Sequence, residues 1–244
     1  MNKNIKKFLE NTLFLKDIKC IFCNRELEKD SKYCTCDECL EKLPFIREKV
    51  CHKCGEPIKS LAEFCMRCKK NVDRGFDKAR AVFYYKDELS KAVKDLKYYN
   101  NIYLAEYLSA FLLDKYIIEN FNSDVVIPAP MSERSLKSRG FNQAELLCES
   151  FVNFGLKVNS NCVQKIRETE NQAQLGYKDR QTNLIDAFKV VDKNAVKNKN
   201  VLIVDDVFTT GATVSEISYA LKKAGANRID ILTLCHEMPD GVTN

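Results

Sequence analysis

VLIVDDVFTTGATVSEISYALKKAGANRIDILTLC, residues 201–235, carries the reading that decides the fold. Val201 to Val204 form a short apolar, β-branched run of the kind that makes a buried strand, and the acidic pair Asp205–Asp206 closes it. Phe208 to Thr213 read as a loop, VSEISYALKKAGA as a helix ending at Gly225, and RIDILTLC as a second strand. Strand, helix and strand in immediate succession imply a parallel α/β sheet.

The same alternation extends toward the N-terminus. DVVIPAP is a buried strand stopped by Pro128 and Pro130, and FNQAELLCESFVNFG reads as a helix ended by Gly155. LSKAVKDLKYY and NIYLAEYLSAFLLDKYIIENF repeat apolar residues at three- and four-residue steps, which is helical periodicity. Ahead of them, Ala79 to Tyr85 form a β-rich run. In front of that run the composition changes abruptly, so we place a boundary near residue 75, with a small module at 1–75 and the α/β domain at 76–244.

Nine of the twelve cysteines fall between Cys20 and Cys68. Eight of them make CxxC pairs: Cys20 with Cys23, Cys36 with Cys39, Cys51 with Cys54, and Cys65 with Cys68. A CxxC turn aims two thiolates at one tetrahedral ion, so four turns imply two structural zinc sites. Neighbouring turns give the simplest partition, Cys20, Cys23, Cys36 and Cys39 for one ion and Cys51, Cys54, Cys65 and Cys68 for the other. A crossed pairing, Cys34 in place of Cys36, and iron–sulfur ligation remain alternatives. Cys148, Cys162 and Cys235 lie in apolar surroundings and read as packing residues.

At 244 residues and 45% hydrophobic content the chain is long enough for a sizeable core and too apolar for disorder. No uncharged apolar run reaches the roughly 18 residues that cross a bilayer. The N-terminal stretch begins with lysines, but Glu10, Lys16 and Asp17 interrupt its apolar part, so we expect a cytoplasmic protein, with contact at the inner membrane face as the variant the basic N-terminus allows. The net charge of +5 resides entirely in residues 1–75, with 17 Lys and Arg against 12 Asp and Glu. That resembles a nucleic-acid footprint, yet each zinc on four thiolates carries about −2, and two of them bring the module close to +1. Clusters such as Lys3, Lys6 and Lys7, or Lys69, Lys70 and Arg74, serve a solvated surface equally well.

In an open parallel sheet, ligands sit beyond the carboxyl ends of the strands. Asp205 and Asp206 fall there, followed by Thr209, Thr210, Gly211, Ala212 and Thr213 and then by a helix. Hydroxyls, successive backbone amides and the positive end of a helix dipole make an anion cradle. Carboxylates repel phosphate but accept hydrogen bonds from vicinal hydroxyls, so the two together suit a ribose 5-phosphate. Neither GxxxxGK[ST] nor GxGxxG occurs. The other readings are a plain helix N-cap beside solvated aspartates and a paired-aspartate magnesium site.

VLIVDDVFTTGAT resembles the phosphoribosyl-pyrophosphate (PRPP) signature of type I phosphoribosyltransferases. Together with VVIPAPMSERSLKSRGFNQAELL, RETENQAQLGYKDRQTNLIDAF and the paired cysteines, the chain from about Cys20 to Leu234 resembles the ComF family, the ComFC-like competence proteins. The resemblance implies a type I phosphoribosyltransferase-like parallel sheet flanked by helices, behind an N-terminal double zinc ribbon. It implies that Asp205 and Asp206 hold the ribose hydroxyls, that Thr209 to Thr213 hold the 5-phosphate, that Arg134, Arg139 and Gly140 lie where pyrophosphate is contacted, arginine forks suiting phosphate oxygens, and that Lys97 matches a basic position near the same sheet edge. Arg167 to Phe188 correspond to a mobile hood, with Thr169, Gln172, Arg180 and Asn183 matching the family pattern.

The expected cofactors are two structural zinc ions and magnesium bound with PRPP. Two functions follow: a magnesium-dependent phosphoribosyltransferase, or a PRPP-binding protein without turnover that handles single-stranded DNA and meets DNA-uptake proteins. Tyr103, Tyr107 and Phe111 recur at helical spacing, which makes them core residues before base-stacking ones.

Overall fold

The computed structural model describes residues 18–27, 33–58, 61–70, 73–99, 101–167 and 186–237. In chain order its elements are α1 (Asp37–Lys42), α2 (Met66–Lys69), β1 (Lys78–Tyr84), α3 (Asp87–Tyr98), α4 (Leu104–Ile118), β2 (Val125–Pro128), α5 (Glu133–Arg139), α6 (Gln143–Leu146), α7 (Glu149–Asn153), β3 (Val163–Lys165), β4 (Phe188–Val190), β5 (Asn200–Phe208), α8 (Ala212–Lys223) and β6 (Arg228–His236).

Val201 to Val204 and Ile229 to Leu234 are buried on both faces, the condition of interior strands in a parallel sheet. Accordingly β5 and β6 lie in the middle of a four-stranded sheet of order β1-β6-β5-β2. Every pairing is parallel; Val201 faces Ile229 and Val125, and Ile203 faces Ile231 and Ile127. α4 packs on β1 and β6, and α8 packs on β6 and on β4. The carboxyl ends of β5 and β6 therefore open at one edge, with α8 leaving directly from β5.

The contacts divide the chain into two compact units, Met1–Leu43 and Pro44–Asn244. The expected boundary at 75 follows the motifs; the unit that contains the sheet already includes the second cysteine group. The reason lies at the open edge of β1. Tyr84 donates its amide to the Pro44 carbonyl at 2.8 Å, Ile46 to Val82 at 3.0 Å, and Ala79 to Lys53 at 2.7 Å, so residues 44–58 cover an edge that would otherwise present unpaired backbone. Gly55 (φ +73°) makes the approach possible, since a Cβ there would stand 2.6 Å from the Ala79 carbonyl oxygen.

Two readings of local structure change. FNQAELLCESFVNFG is not one helix but two, α6 and α7, broken at Leu147–Cys148. The buried Cys148 thiol donates to the Ala144 carbonyl at 3.2 Å, while the Cys148 amide goes to Glu145 at 2.9 Å, which tightens the turn and interrupts the helical ladder. The segment expected to be a strand-poor hood is bordered by strands: β3 and β4 pair antiparallel, Lys165 opposite Phe188. Thr169, Gln172, Arg180 and Asn183 lie outside the described residues, as do Lys3, Lys6 and Lys7. Cys148, Cys162 and Cys235 are buried packing residues. Phe111 is a core residue, whereas Tyr103 is 57% exposed.

Candidate functional site

The four-cysteine partition follows sequence order. Cys20, Cys23, Cys36 and Cys39 form one group and Cys51, Cys54, Cys65 and Cys68 the other, with the ligand atoms of each within 4.8 Å of one another. Sγ atoms stand 3.6 Å apart for Cys23 and Cys36, and for Cys54 and Cys65. Tetrahedral zinc at about 2.3 Å from each sulfur requires roughly 3.8 Å between sulfurs, so both groups fit the ion. Cys34 stands outside, its thiol donating to the Lys19 carbonyl at 3.1 Å. Knuckle amides prepare the sulfurs: Cys36 N donates to Cys20 Sγ at 3.4 Å. Burial alone would raise Cys20, yet the amides of Cys36, Cys23 and Phe22 bring it down to about 7. Cys51 falls to about 4, chiefly through its hydrogen bond with Cys54. The second group is wholly buried, whereas Cys23 of the first is exposed.

At its carboxyl edge the sheet opens into a cavity of ≈ 500 Å³ lined by Asp205, Asp206, Thr209, Gly211, Thr213, Lys97 and Arg139. Within the acidic pair, Asp206 N donates to Asp205 Oδ1 at 2.8 Å. Lys97 on α3 places its ammonium 2.6 Å from Asp206 Oδ2. Burial works against that charge, but the Asp206 carboxylate, backed by Asp205, more than offsets it and holds Lys97 above the ordinary lysine value. Burial first, and the neighbouring Asp206 charge second, push Asp205 up to about 7.

The loop after the aspartates divides its labour. Thr210 is buried, and its hydroxyl accepts from Ala212 N at 3.3 Å, so it shapes the turn. Gly211 (φ +78°) occupies the left-handed region, and a Cβ there would meet the Phe208 ring at 2.6 Å. Thr209, Thr213 and Val214 face the cavity at the positive end of α8.

The family stretch 133–143 forms α5 and the start of α6. Ser132 caps α5 by accepting from Ser135 N at 3.2 Å, and Asn142 caps α6 while donating to the Ala129 carbonyl at 3.0 Å, which ties the start of α6 to the end of β2. Arg139 reaches the cavity, bound to Gln143 Oε1 and set 5.4 Å over the Tyr98 ring. Arg134 is exposed on α5 and is not among the described cavity-lining residues; Arg180 lies outside the described residues.

Sequence reasoning missed Lys94 and Tyr98, which line the cavity beside Lys97. Helical spacing carried the signal, because Lys94 sits three residues ahead of Lys97 on one face of α3. It also misplaced Arg74, grouped with Lys69 and Lys70 as surface charge. Lys69 and Lys70 are exposed, but Arg74 turns inward and donates to the Thr210 carbonyl, a partner 136 residues away.

Among the described residues no helix is long and apolar enough to cross a membrane. The phosphoribosyl transferase domain family matches residues 155–242 and the double zinc ribbon domain family residues 12–69. Competence protein F of Haemophilus influenzae is 29% identical over 224 residues, 88% of this chain and 95% of that protein. The DNA utilization protein YhgH of Salmonella typhimurium is 30% identical over 198 residues, 79% of this chain and 86% of that protein. Adenine phosphoribosyltransferase of Thermoanaerobacter pseudethanolicus aligns over 57% of this chain and 83% of its own at 18% identity, with a TM-score of 0.36. With paired four-cysteine groups ahead of a parallel sheet, and relatives matched over most of both lengths, the chain belongs to the ComF family of competence and DNA-utilization proteins.

Proposed function

We propose that the Asp205–Thr213 cradle binds PRPP with magnesium and that the chain serves natural competence as a phosphoribosyltransferase toward an acceptor yet to be identified. The observation that carries this reading is the joining of two opposed chemistries in one cavity, a carboxylate pair at the floor and an anion-binding turn beside it. A phosphorylated pentose needs both, with ribose hydroxyls donating to Asp205 and Asp206 and the 5-phosphate at the Thr209–Thr213 turn. Lys97 and Arg139 supply positive charge on the side where pyrophosphate leaves.

The residues fit magnesium held mainly through ligand oxygens and water, since Asp206 is already engaged by Lys97. When bound, magnesium neutralises charge on the departing pyrophosphate. The protein's own part is to hold the sugar still while C1 becomes cationic and to keep Asp205 close to that centre.

Calorimetry tests the binding step: PRPP with magnesium gives a saturable heat, and the Asp205→Asn, Asp206→Asn double variant weakens it at least about 100-fold. No heat at millimolar PRPP with the fold intact rejects the reading. Turnover is read as pyrophosphate released from PRPP in the presence of a panel of amines and bases.

A second reading rests on exposed aromatics at the end of α3 and the start of α4: Tyr98, which lines the cavity, Tyr99 and Tyr103 are 65%, 71% and 57% exposed. Such rings stack unpaired bases, so single-stranded DNA without phosphoribosyl transfer is the alternative. Single-strand affinity that falls steeply with salt and on Tyr99→Ala, without pyrophosphate release for any acceptor, would favour it. Because Arg74 turns inward, the cluster with Lys69 and Lys70 gives that reading no support.

A further inference from the structure

Residues 73–76 join the second cysteine group to β1, and each of them meets the last residue of β5 or the loop and helix that follow it. The Asp73 carbonyl accepts from the Tyr219 hydroxyl at 2.7 Å. Gly75 packs so closely on α8 that a Cβ would come within 3.0 Å of the Ser215 carbonyl oxygen. The Phe76 ring meets Phe208 edge-on, 6.3 Å between centroids. Between these contacts lies Arg74, its guanidinium 5.3 Å from the Phe76 centroid, 5.5 Å from the Phe208 centroid, and donating to the Thr210 carbonyl.

That carbonyl belongs to the anion-binding turn. A peptide unit is planar, so fixing the direction of the Thr210 C=O also fixes the direction of the Gly211 N–H. Behind Arg74, the rings of Phe76 and Phe208 share one hydrophobic core with Cys51, Cys54, Cys65 and Cys68. On its other side Phe208 stacks on His236, 5.0 Å between ring centroids. A packed core thus runs from the second cysteine group to Phe208 and Ala212, on either side of the loop, and Arg74 adds a hydrogen bond to the loop's own backbone.

We propose that Arg74 is a positioning residue that couples metal occupancy at Cys51, Cys54, Cys65 and Cys68 to the conformation of the Thr209–Thr213 loop. With metal bound, the 73–76 linker is held and the guanidinium keeps the loop turned for its anion. By reciprocity of linkage, a ligand in the loop tightens the binding of that metal, and affinity gains of this kind fall mostly on the dissociation rate. The first cysteine group belongs to the other compact unit. The ligand half of this proposal rests on the sugar-phosphate reading of the loop, whereas the positioning half does not.

Hydrogen exchange on the full zinc-loaded chain tests the positioning half without any ligand. Arg74→Met keeps an aliphatic stem over the two rings and removes the donor. Amides 207–213 are expected to exchange about tenfold faster than in the wild type, with Arg74→Lys intermediate and β2 and α4 unchanged. Equal exchange in all three proteins overturns the role of Arg74.

Metal release to a chromogenic chelator tests the coupling in the wild-type protein. Two phases are expected, and PRPP with magnesium should slow only the slower one, by about tenfold; the effect should vanish in Arg74→Met. If PRPP binds the wild type calorimetrically yet leaves both phases unchanged, the coupling is wrong. If PRPP gives no heat while loop exchange still answers to Arg74, the sugar-phosphate reading fails and the positioning role stands.

Discussion

Asp205, at the floor of the cavity, carries a cost in stability. Its carboxyl is pushed from the ordinary 3.8 up to about 7 by burial and by the Asp206 charge. A folded-state value above the unfolded one means that the native state binds the extra proton, so stability falls as pH rises between about 4 and 7. Asp205→Asn should therefore raise the melting temperature at pH 8 by about 2–4 °C, a gain that shrinks toward pH 4 in thermal denaturation, while PRPP binding is lost. Glu119 behaves in the opposite sense. It accepts from Lys78 at 2.9 Å, Arg80 at 2.9 Å and Lys115 at 3.0 Å, and these cations overcome a burial penalty and hold its carboxyl down at about 2. Its stabilisation is fully present above the ordinary value of 4.5 and fades as pH falls toward 2. Glu119→Gln should cost about 3 kcal/mol at pH 7 in urea unfolding, with the gap between the two proteins narrowing below pH 4.

At the scale of elements, legibility followed the source of each signal. β5, β6 and α8 were readable because burial imposes a repeating apolar pattern, and the same holds for α3 and α4. α5 was not read as a helix, since its ERSLKSR sequence has Leu136 as its one apolar residue and leaves no periodicity; its marks were Ser132 at the N-cap and Gly140 (φ +85°) at the C-terminal end. The α6–α7 break was invisible because it depends on one buried thiol finding a carbonyl. The Thr209–Gly211 turn was legible by composition, yet the separation between Thr210, which shapes the turn, and Thr209 and Thr213, which face the cavity, was not. Gly211→Ala should show what the turn requires, with a loss of about 1–2 kcal/mol in stability and at least a tenfold loss in PRPP affinity by calorimetry.

For the whole molecule, the two cysteine groups should be unequal. Elemental analysis of freshly purified, reduced protein should find two zinc ions per chain, and a chelator should take the metal of the partly exposed first group well before that of the buried second. Because Pro44–Asn244 contains the sheet, the second group and the linker, the fragment 44–244 should fold and retain PRPP binding, measured by circular dichroism and calorimetry. The sequence by itself determined the local and periodic features: paired thiols, a parallel α/β order, and an acidic pair ahead of a threonine-rich turn. These are short-range patterns, written within a few residues of one another by ligand geometry and by the burial of alternate faces. Only the tertiary structure decided that Lys97 answers Asp206, that Arg74 supports the turn and that the second ribbon closes the edge of β1. Each of those contacts joins residues far apart in the chain, and packing in three dimensions selects such partners without leaving a pattern in the order of the amino acids.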